Sequence, residues 1–261
     1  MLNLFLRTAV FSVAMALSFP VFAQIDSVGS AINKSGRQRM LTQRILKAYC
    51  EVGQDESYSF HDAAQQLNDA ISLFDQQLSE LEAFASDEAT RSRLQTVREL
   101  WHPYREIATA SPSRDGAVKM LEMDDDLLRS AHRVVLALED LSGTESGRLV
   151  NISGRQRMLS QRLAKFYILD AWDFRGADFD AKKNQTLTEF EGGLAVLTRS
   201  KLNTPEINKL LAQVEGQWTF FKDRLELSRI QSTPMLVGIT AEKLLAQLNE
   251  LTRLYEELTR G

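Results

Sequence analysis

A ten-residue segment occurs twice in this chain, and no other feature of the sequence limits the possible folds as strongly. Residues 35–44 read Ser-Gly-Arg-Gln-Arg-Met-Leu-Thr-Gln-Arg, and residues 153–162 read Ser-Gly-Arg-Gln-Arg-Met-Leu-Ser-Gln-Arg. Nine of the ten positions are identical at an offset of 118 residues, and Asn33 and Asn151 extend the match upstream. A self-match of this strength is typical of a duplicated structural unit.

The rest of the unit repeats more faintly at nearly the same offset. Corresponding residues include Phe74 and Phe190, Trp101 and Trp218, and Leu128 and Leu245. The chain is therefore predicted to contain two copies of one unit, which we place at residues 24–142 and 143–261.

Within each unit, apolar residues recur at spacings of three and four, the period of an amphipathic helix. One such stripe contains Leu67, Ile71, Phe74, Leu78 and Leu81. The chain has only 13 Gly and 5 Pro, so few residues interrupt long helices. Each unit has four predicted helices, and four amphipathic helices with short connections pack most readily as an antiparallel bundle. The predicted fold is all-α, with two tandem antiparallel four-helix bundles.

Two arrangements of these bundles remain open, because only residues 141–144 separate the last helix of unit one from the first helix of unit two. A nearly continuous helix would stack the bundles end to end, whereas a break would let them lie side by side.

Helix N-caps are predicted at Ser86, Ser111, Thr204 and Thr233.

Residues 1–23 have the layout of a secretory signal peptide. Arg7 is the only charged residue, and residues 8–19 form an apolar run shorter than the roughly 20 residues that span a bilayer. We expect cleavage after Ala23, with an uncleaved anchor as the alternative, and a soluble periplasmic protein. The single cysteine, Cys50, excludes an intramolecular disulfide and any all-cysteine metal site.

The charge distribution argues against a nucleic-acid partner. The chain has 31 Lys and Arg against 35 Asp and Glu, a formal net charge of −4. Residues 31–50 and 147–166 nevertheless each carry five basic residues and no acid. Like charges on one helix repel unless something offsets them, so these two helices indicate a small anion or an acidic partner.

No catalytic, metal or cofactor site is expected. The histidines form no His-Glu-x-x-His motif, and only Glu99 and His102 have the Glu-x-x-His spacing of di-iron bundles. The second unit lacks that pair, and the chain has neither a glycine-rich phosphate loop nor a nucleophile motif.

The repeated segment places a glycine and an arginine on one helix stripe. A glycine inside a helix costs about 1 kcal/mol relative to alanine, so its occurrence in both copies indicates close approach of a second helix or a small ligand. Two facing arginines would tolerate proximity only with an anion between them. The candidate ligand-binding residues are Gly36, Arg39 and Gln43 in unit one and Gly154, Arg157 and Gln161 in unit two.

Residues 33–40, Asn-Lys-Ser-Gly-Arg-Gln-Arg-Met, resemble the first-helix motif of the PilJ-type N-terminal sensor domain of type IV pilus chemotaxis transducers. They are also similar to the P-box of the NarX and NarQ nitrate/nitrite sensor kinases, of the form Ile-Asn-x-Ala-Gly-x-x-Arg-Met. The resemblance implies periplasmic four-helix bundles in which one motif arginine from each of two subunits grips a nitrate. Arg39 and Arg157 would take that position, and Gly36 and Gly154 that of the motif glycine.

The chain departs from the nitrate sensors at two positions of each copy. Arg37 and Arg155 stand where those sensors have a small residue, and Gln43 and Gln161 stand where they have a tyrosine or similar residue. The ligand is therefore expected to be nitrate-like, with its identity open. A second sensor unit also stands where the sensors have transmembrane helices and a cytoplasmic module.

Two functions from different classes follow. The first is a periplasmic sensor that binds a small oxyanion and signals through a membrane-bound partner, either as an intramolecular pseudo-dimer with Arg39 facing Arg157 or as a homodimer. The second is a non-catalytic structural or adaptor bundle whose basic helices contact a protein. A separate alternative for the motif arginines is that they pair with acids on neighbouring helices, such as Glu122 and residues 124–126.

Overall fold

A computed structural model describes residues 25–54, 63–227 and 233–260, and these residues form eight α-helices and no strand. The helices are α1 (Val28–Gly53), α2 (Ala63–Phe84), α3 (Glu88–Thr109), α4 (Arg114–Ser142), α5 (Glu145–Ala171), α6 (Phe179–Thr198), α7 (Pro205–Glu226) and α8 (Pro234–Glu257). The all-α prediction is confirmed. Residues 1–23, the predicted signal peptide, lie outside the described part of the chain.

Helices α1–α4 and α5–α8 form two four-helix bundles with the same internal packing. In the first bundle, Phe74 stacks on Trp101 with ring centroids 3.9 Å apart. In the second bundle, Phe190 stacks on Trp218, also at 3.9 Å. Within the described ranges, none of the helices combines the length and apolar character needed to cross a membrane.

The two bundles lie side by side because the chain breaks between α4 and α5. Gly143, after the last residue of α4, adopts the left-handed conformation with φ 59°. The side chain of Thr144 then caps α5 by accepting a hydrogen bond from the amide of Gly147 at 3.0 Å. A residue with positive φ ends a helix, so the nearly continuous interbundle helix does not form.

Helices α1 and α5 pack directly against each other and run parallel. Gly36 faces Gly154 in the amino-terminal half of both helices, and Gly53 lies beside Trp172 at their carboxyl ends. Equivalent residues of the repeat thus meet across a pseudo-twofold axis that runs along the helices.

The central position of α1 and α5 buries them on nearly every side. Nineteen of the 26 residues of α1 are buried, against nine of 22 in α2. Each central helix packs mainly against two helices of its own bundle and the central helix of the other. The basic repeated segments therefore lie inside the molecule, where a charged side chain needs a partner.

The structure corrects two of the predicted helix N-caps. Thr204 and Thr233 cap α7 and α8 as expected, each followed by a proline at the first helical position. Helix α3 is capped by Asp87 instead of Ser86, and α4 by Ser113 instead of Ser111. These two side chains stand three residues before the amide that they accept from, which is the spacing a cap requires.

Candidate functional site

Arg39 on α1 and Arg157 on α5 are almost completely buried, with exposed fractions of 1% and 0%. Each reaches back along the opposite central helix. Nη2 of Arg39 donates to the backbone oxygen and to Oδ1 of Asn151, at 3.2 and 2.8 Å. Nη2 of Arg157 donates to the backbone oxygen of Asn33 at 3.1 Å. Each arginine therefore donates a hydrogen bond to the central helix of the other bundle, across the pseudo-twofold axis.

The two guanidinium groups converge above the crossing of the motif glycines. A β-carbon at Gly36 would stand 3.4 Å from Nη2 of Arg39 and 3.6 Å from Nη2 of Arg157. A β-carbon at Gly154 would stand 3.3 and 3.6 Å from Nη2 of Arg157 and of Arg39. Because the glycines have no side chains, both guanidinium groups can lie close to each other and to the backbones of α1 and α5.

Neither arginine forms an ion pair within the described part of the chain, where every hydrogen-bond partner of the two guanidinium groups is neutral. Nε of Arg39 and Nε of Arg157 are buried and have no hydrogen-bond partner there. Burial, followed by repulsion from Arg155, lowers the pKa of Arg39 to about 9. Burial, followed by Arg37 and Arg39, holds the pKa of Arg157 well below its usual value. Among the described residues, therefore, no carboxylate contacts either guanidinium group directly.

Two carboxylates accept hydrogen bonds from the asparagines that precede the motif. Nδ2 of Asn33 donates to Oε2 of Glu256 at 2.5 Å, and Nδ2 of Asn151 donates to Oε2 of Glu139. Glu139 raises the pKa of Arg39 and Glu256 raises that of Arg157, but each effect is smaller than the lowering caused by burial. Each asparagine thus links one arginine to one distant acid.

The contacts of Arg39 and Arg157 also differ at Nη1. Nη1 of Arg39 contacts Nδ1 of His132 on α4 at 3.0 Å, whereas Nη1 of Arg157 donates to Oδ1 of Asn249 on α8 at 3.3 Å. The sequence interpretation did not include these two residues. His132 follows Leu128 by four positions, on the buried stripe of α4, and that placement was the available signal.

About two turns further along α1 and α5 than the arginines, buried lysines pair with acids of the other bundle. Nζ of Lys165 on α5 donates to Asp124 on α4, and Nζ of Lys47 on α1 donates to Glu242 on α8 at 3.0 Å. Lys47 and Lys165 are only 1% and 2% exposed. These reciprocal pairs connect the two bundles.

The two candidate glutamines lie with these ion pairs. Nε2 of Gln43 donates to Oδ1 of Asp124 at 2.9 Å, and Gln161 lies beside Glu242. Burial alone would raise the pKa of Glu242, but the nearby lysine and arginine side chains together lower it. The structure thus brings Gly36 and Gly154 together with the two arginines, and it places the glutamines beside acids.

Three of the other four motif arginines are paired with acids in the described part of the chain, mostly not those expected. The ion pairs are Arg44 with Glu242 at 2.7 Å, Arg155 with Glu189 at 3.0 Å, and Arg162 with Asp125 at 3.4 Å. Only the last involves one of the acids named from the sequence.

A groove of about 420 Å³ lies between α1 and α8, beside two hydrogen-bond partners of Arg157. Its lining includes Asn33 and Asn249, which both accept hydrogen bonds from that arginine, together with Arg37 and Arg253. Glu250 and Glu256 also line this groove, so its charge is mixed.

A family model described as "Type IV pili methyl-accepting chemotaxis transducer N-term", PilJ, matches residues 21–122 and 142–256. The two matched regions correspond to the two copies of the repeat. No curated protein matches the chain, and no solved structure does.

Proposed function

The chain belongs to the family of type IV pili methyl-accepting chemotaxis transducer N-terminal domains, and on this premise we propose that it is a periplasmic anion sensor. One small oxyanion, nitrate-like in charge and size, binds between Arg39 and Arg157 of the same chain. The role is binding and signalling without catalysis, and the signal passes to a membrane-bound partner.

The observation that carries this proposal is a buried, uncompensated pair of positive charges. Removing an ion from water costs several kcal/mol unless an opposite charge or a full set of hydrogen bonds replaces the water. Within residues 25–54, 63–227 and 233–260, Arg39 and Arg157 have only neutral partners, and each keeps a buried Nε donor without an acceptor. A planar monovalent oxyanion supplies both the missing charge and the missing acceptors.

The parallel packing of α1 and α5 supports a site formed within one chain. Each bundle contributes one arginine and one glycine, so the pseudo-twofold axis reproduces what a symmetric dimer of single-unit chains would form. Binding would draw the guanidinium groups of Arg39 and Arg157 together. Because each arginine hydrogen-bonds the opposite central helix, this would favour one position of α1 relative to α5.

Burial argues against the alternative, a structural bundle whose basic helices contact another protein. Arg39, Lys47, Arg157 and Lys165 are each at most 2% exposed. Side chains enclosed to this degree are not available to a docking partner. The charges of Arg39 and Arg157, which pair with no acid in the described part of the chain, are therefore better explained by an internal anion.

A thermal-shift screen with sodium nitrate, sodium nitrite, sodium sulfate and sodium chloride at constant ionic strength tests the proposal. A ligand at a hundredfold excess over its Kd stabilises the folded state by about 2.7 kcal/mol. We expect a saturating shift with nitrate or nitrite that is lost in Arg39→Ala and Arg157→Ala and kept in Arg91→Ala, an exposed arginine of α3. If none of the four salts gives a saturating shift, the structural bundle is favoured.

A further inference from the structure

His132 breaks the symmetry of the candidate site. The repeat gives the two arginines equivalent surroundings, yet a titratable imidazole contacts Arg39 where a neutral amide contacts Arg157. An amide keeps its donor and acceptor roles at every pH, whereas an imidazole changes them when it takes up a proton.

The contact with Arg39 fixes the state of His132 when the site holds no anion. A guanidinium has no acceptor, so Nδ1 of His132 must accept the hydrogen bond from Nη1 of Arg39 and must itself be unprotonated. Protonation would place two donors opposite each other at this 3.0 Å contact. That arrangement is unfavourable unless an acceptor enters between them.

The charges around His132 act in the same direction. Arg39 on α1 and Arg155 on α5 face the imidazole as cations, and Glu189 on α6 is the opposing acid, itself paired with Arg155. On α4 itself, the charged residue one turn away is Arg129, which is paired with Asp126. Burial first, and then Arg39 and Arg155, lower the pKa of His132 to about 4.

We infer that anion binding at Arg39 and Arg157 takes up one proton at His132, an inference that rests on the proposed function. The anion neutralises the arginine charge that opposes protonation, and its oxygen accepts hydrogen bonds from both Nη1 of Arg39 and Nδ1 of His132. The proton comes from the solvent, and no bond in the anion breaks. The ligand class is a monovalent oxyanion sensed more strongly in acid.

Calorimetric titration of the full chain with sodium nitrate between pH 8 and pH 5 tests this inference. Because one proton is linked to binding, the apparent Kd is expected to fall by up to about tenfold per pH unit in the window where His132 takes up its proton. His132→Asn copies the residue of the second unit, and its titrations should lack this pH dependence. Asn249→His should show a steeper dependence than the wild type.

Titrations of the wild type in buffers of different ionisation enthalpy give the proton number directly. A value between zero and one that rises as the pH falls is expected, and it should be zero in His132→Asn. Nitrate binding without proton uptake, or with equal uptake in both proteins, would overturn the inference and leave the anion sensor standing. No binding of nitrate or nitrite at any pH would overturn the proposed function and this inference together.

Discussion

Gly36 and Gly154 face each other where α1 crosses α5, and a β-carbon on either glycine would stand 3.9 Å from the α-carbon of the other. The same β-carbons would stand 3.3 to 3.6 Å from the Nη2 atoms of Arg39 and Arg157. The close approach of the central helices and the convergence of the arginines thus depend on the same two positions.

Gly36→Ala should separate packing from ligand binding. Its β-carbon would meet its neighbours at ordinary van der Waals distance, and alanine favours a helix by up to about 1 kcal/mol over glycine. We expect unchanged or slightly higher stability in urea unfolding, and nitrate affinity reduced at least about tenfold because the methyl group occupies the anion's space.

Gly192→Ala is the matched control, since a β-carbon at this exposed position of α6 has nothing within 4 Å. It should raise stability similarly and leave nitrate binding intact. Wild-type affinity in Gly36→Ala would contradict the placement of the ligand at the glycine crossing.

Arg39→Met and Arg157→Met should each leave the anion-free protein as stable as the wild type, or stabilise it by up to about 3 kcal/mol. The reason is that a buried charge without a counter-ion is replaced by an apolar side chain of similar length. Urea unfolding in a buffer free of oxyanions measures the change. A loss above about 2 kcal/mol in either variant would indicate that the arginines serve the structure.

Much of this fold follows from two sequence patterns. The offset of 118 residues and the helical period predict eight helices in two bundles. The side-by-side arrangement also had a local signal, because Gly143 followed by Thr144 combines a helix-ending glycine with a helix-starting cap. That signal competed with the shortness of the connection, which favours a continuous helix.

The site could be predicted only as far as one helix extends. The stripe that joins Gly36 to Arg39 is a local property of α1. The contacts of Arg39 with His132 and of Lys47 with Glu242 join residues 93 and 195 positions apart in the chain. They depend on how each helix rotates about its axis when the bundles pack, and the repeat alone does not fix that rotation.

Lys165→Met should destabilise the protein by about 3–5 kcal/mol, because it leaves Asp124 buried without its cation. Lys182→Met is the matched control. Lys182 pairs at 2.9 Å with the adjacent Asp125 and is 37% exposed, so its removal should change stability by no more than about 1 kcal/mol. If urea unfolding shows the same loss of stability in both variants, the buried pair stabilises the contact between the bundles no more than the exposed pair does.

The anion-free protein should lose stability in acid through His132. Its folded pKa is about 4 and its ordinary value is 6.5, so the unfolded chain binds the proton first. The stability contributed by neutral His132 is complete above pH 6.5 and is lost as the pH falls toward 4. Thermal unfolding should therefore show a steeper decline of Tm between pH 7 and pH 5 in the wild type than in His132→Asn. Parallel curves for the two proteins would contradict this account.

The stoichiometry of nitrate binding, measured by isothermal titration calorimetry, tests the central claim most directly. If Arg39 and Arg157 form one site within a single chain, the wild type binds one nitrate per chain. Arg39→Met and Arg157→Met then each abolish binding completely. Two nitrates per chain, or binding that persists when either arginine is replaced, would contradict the account.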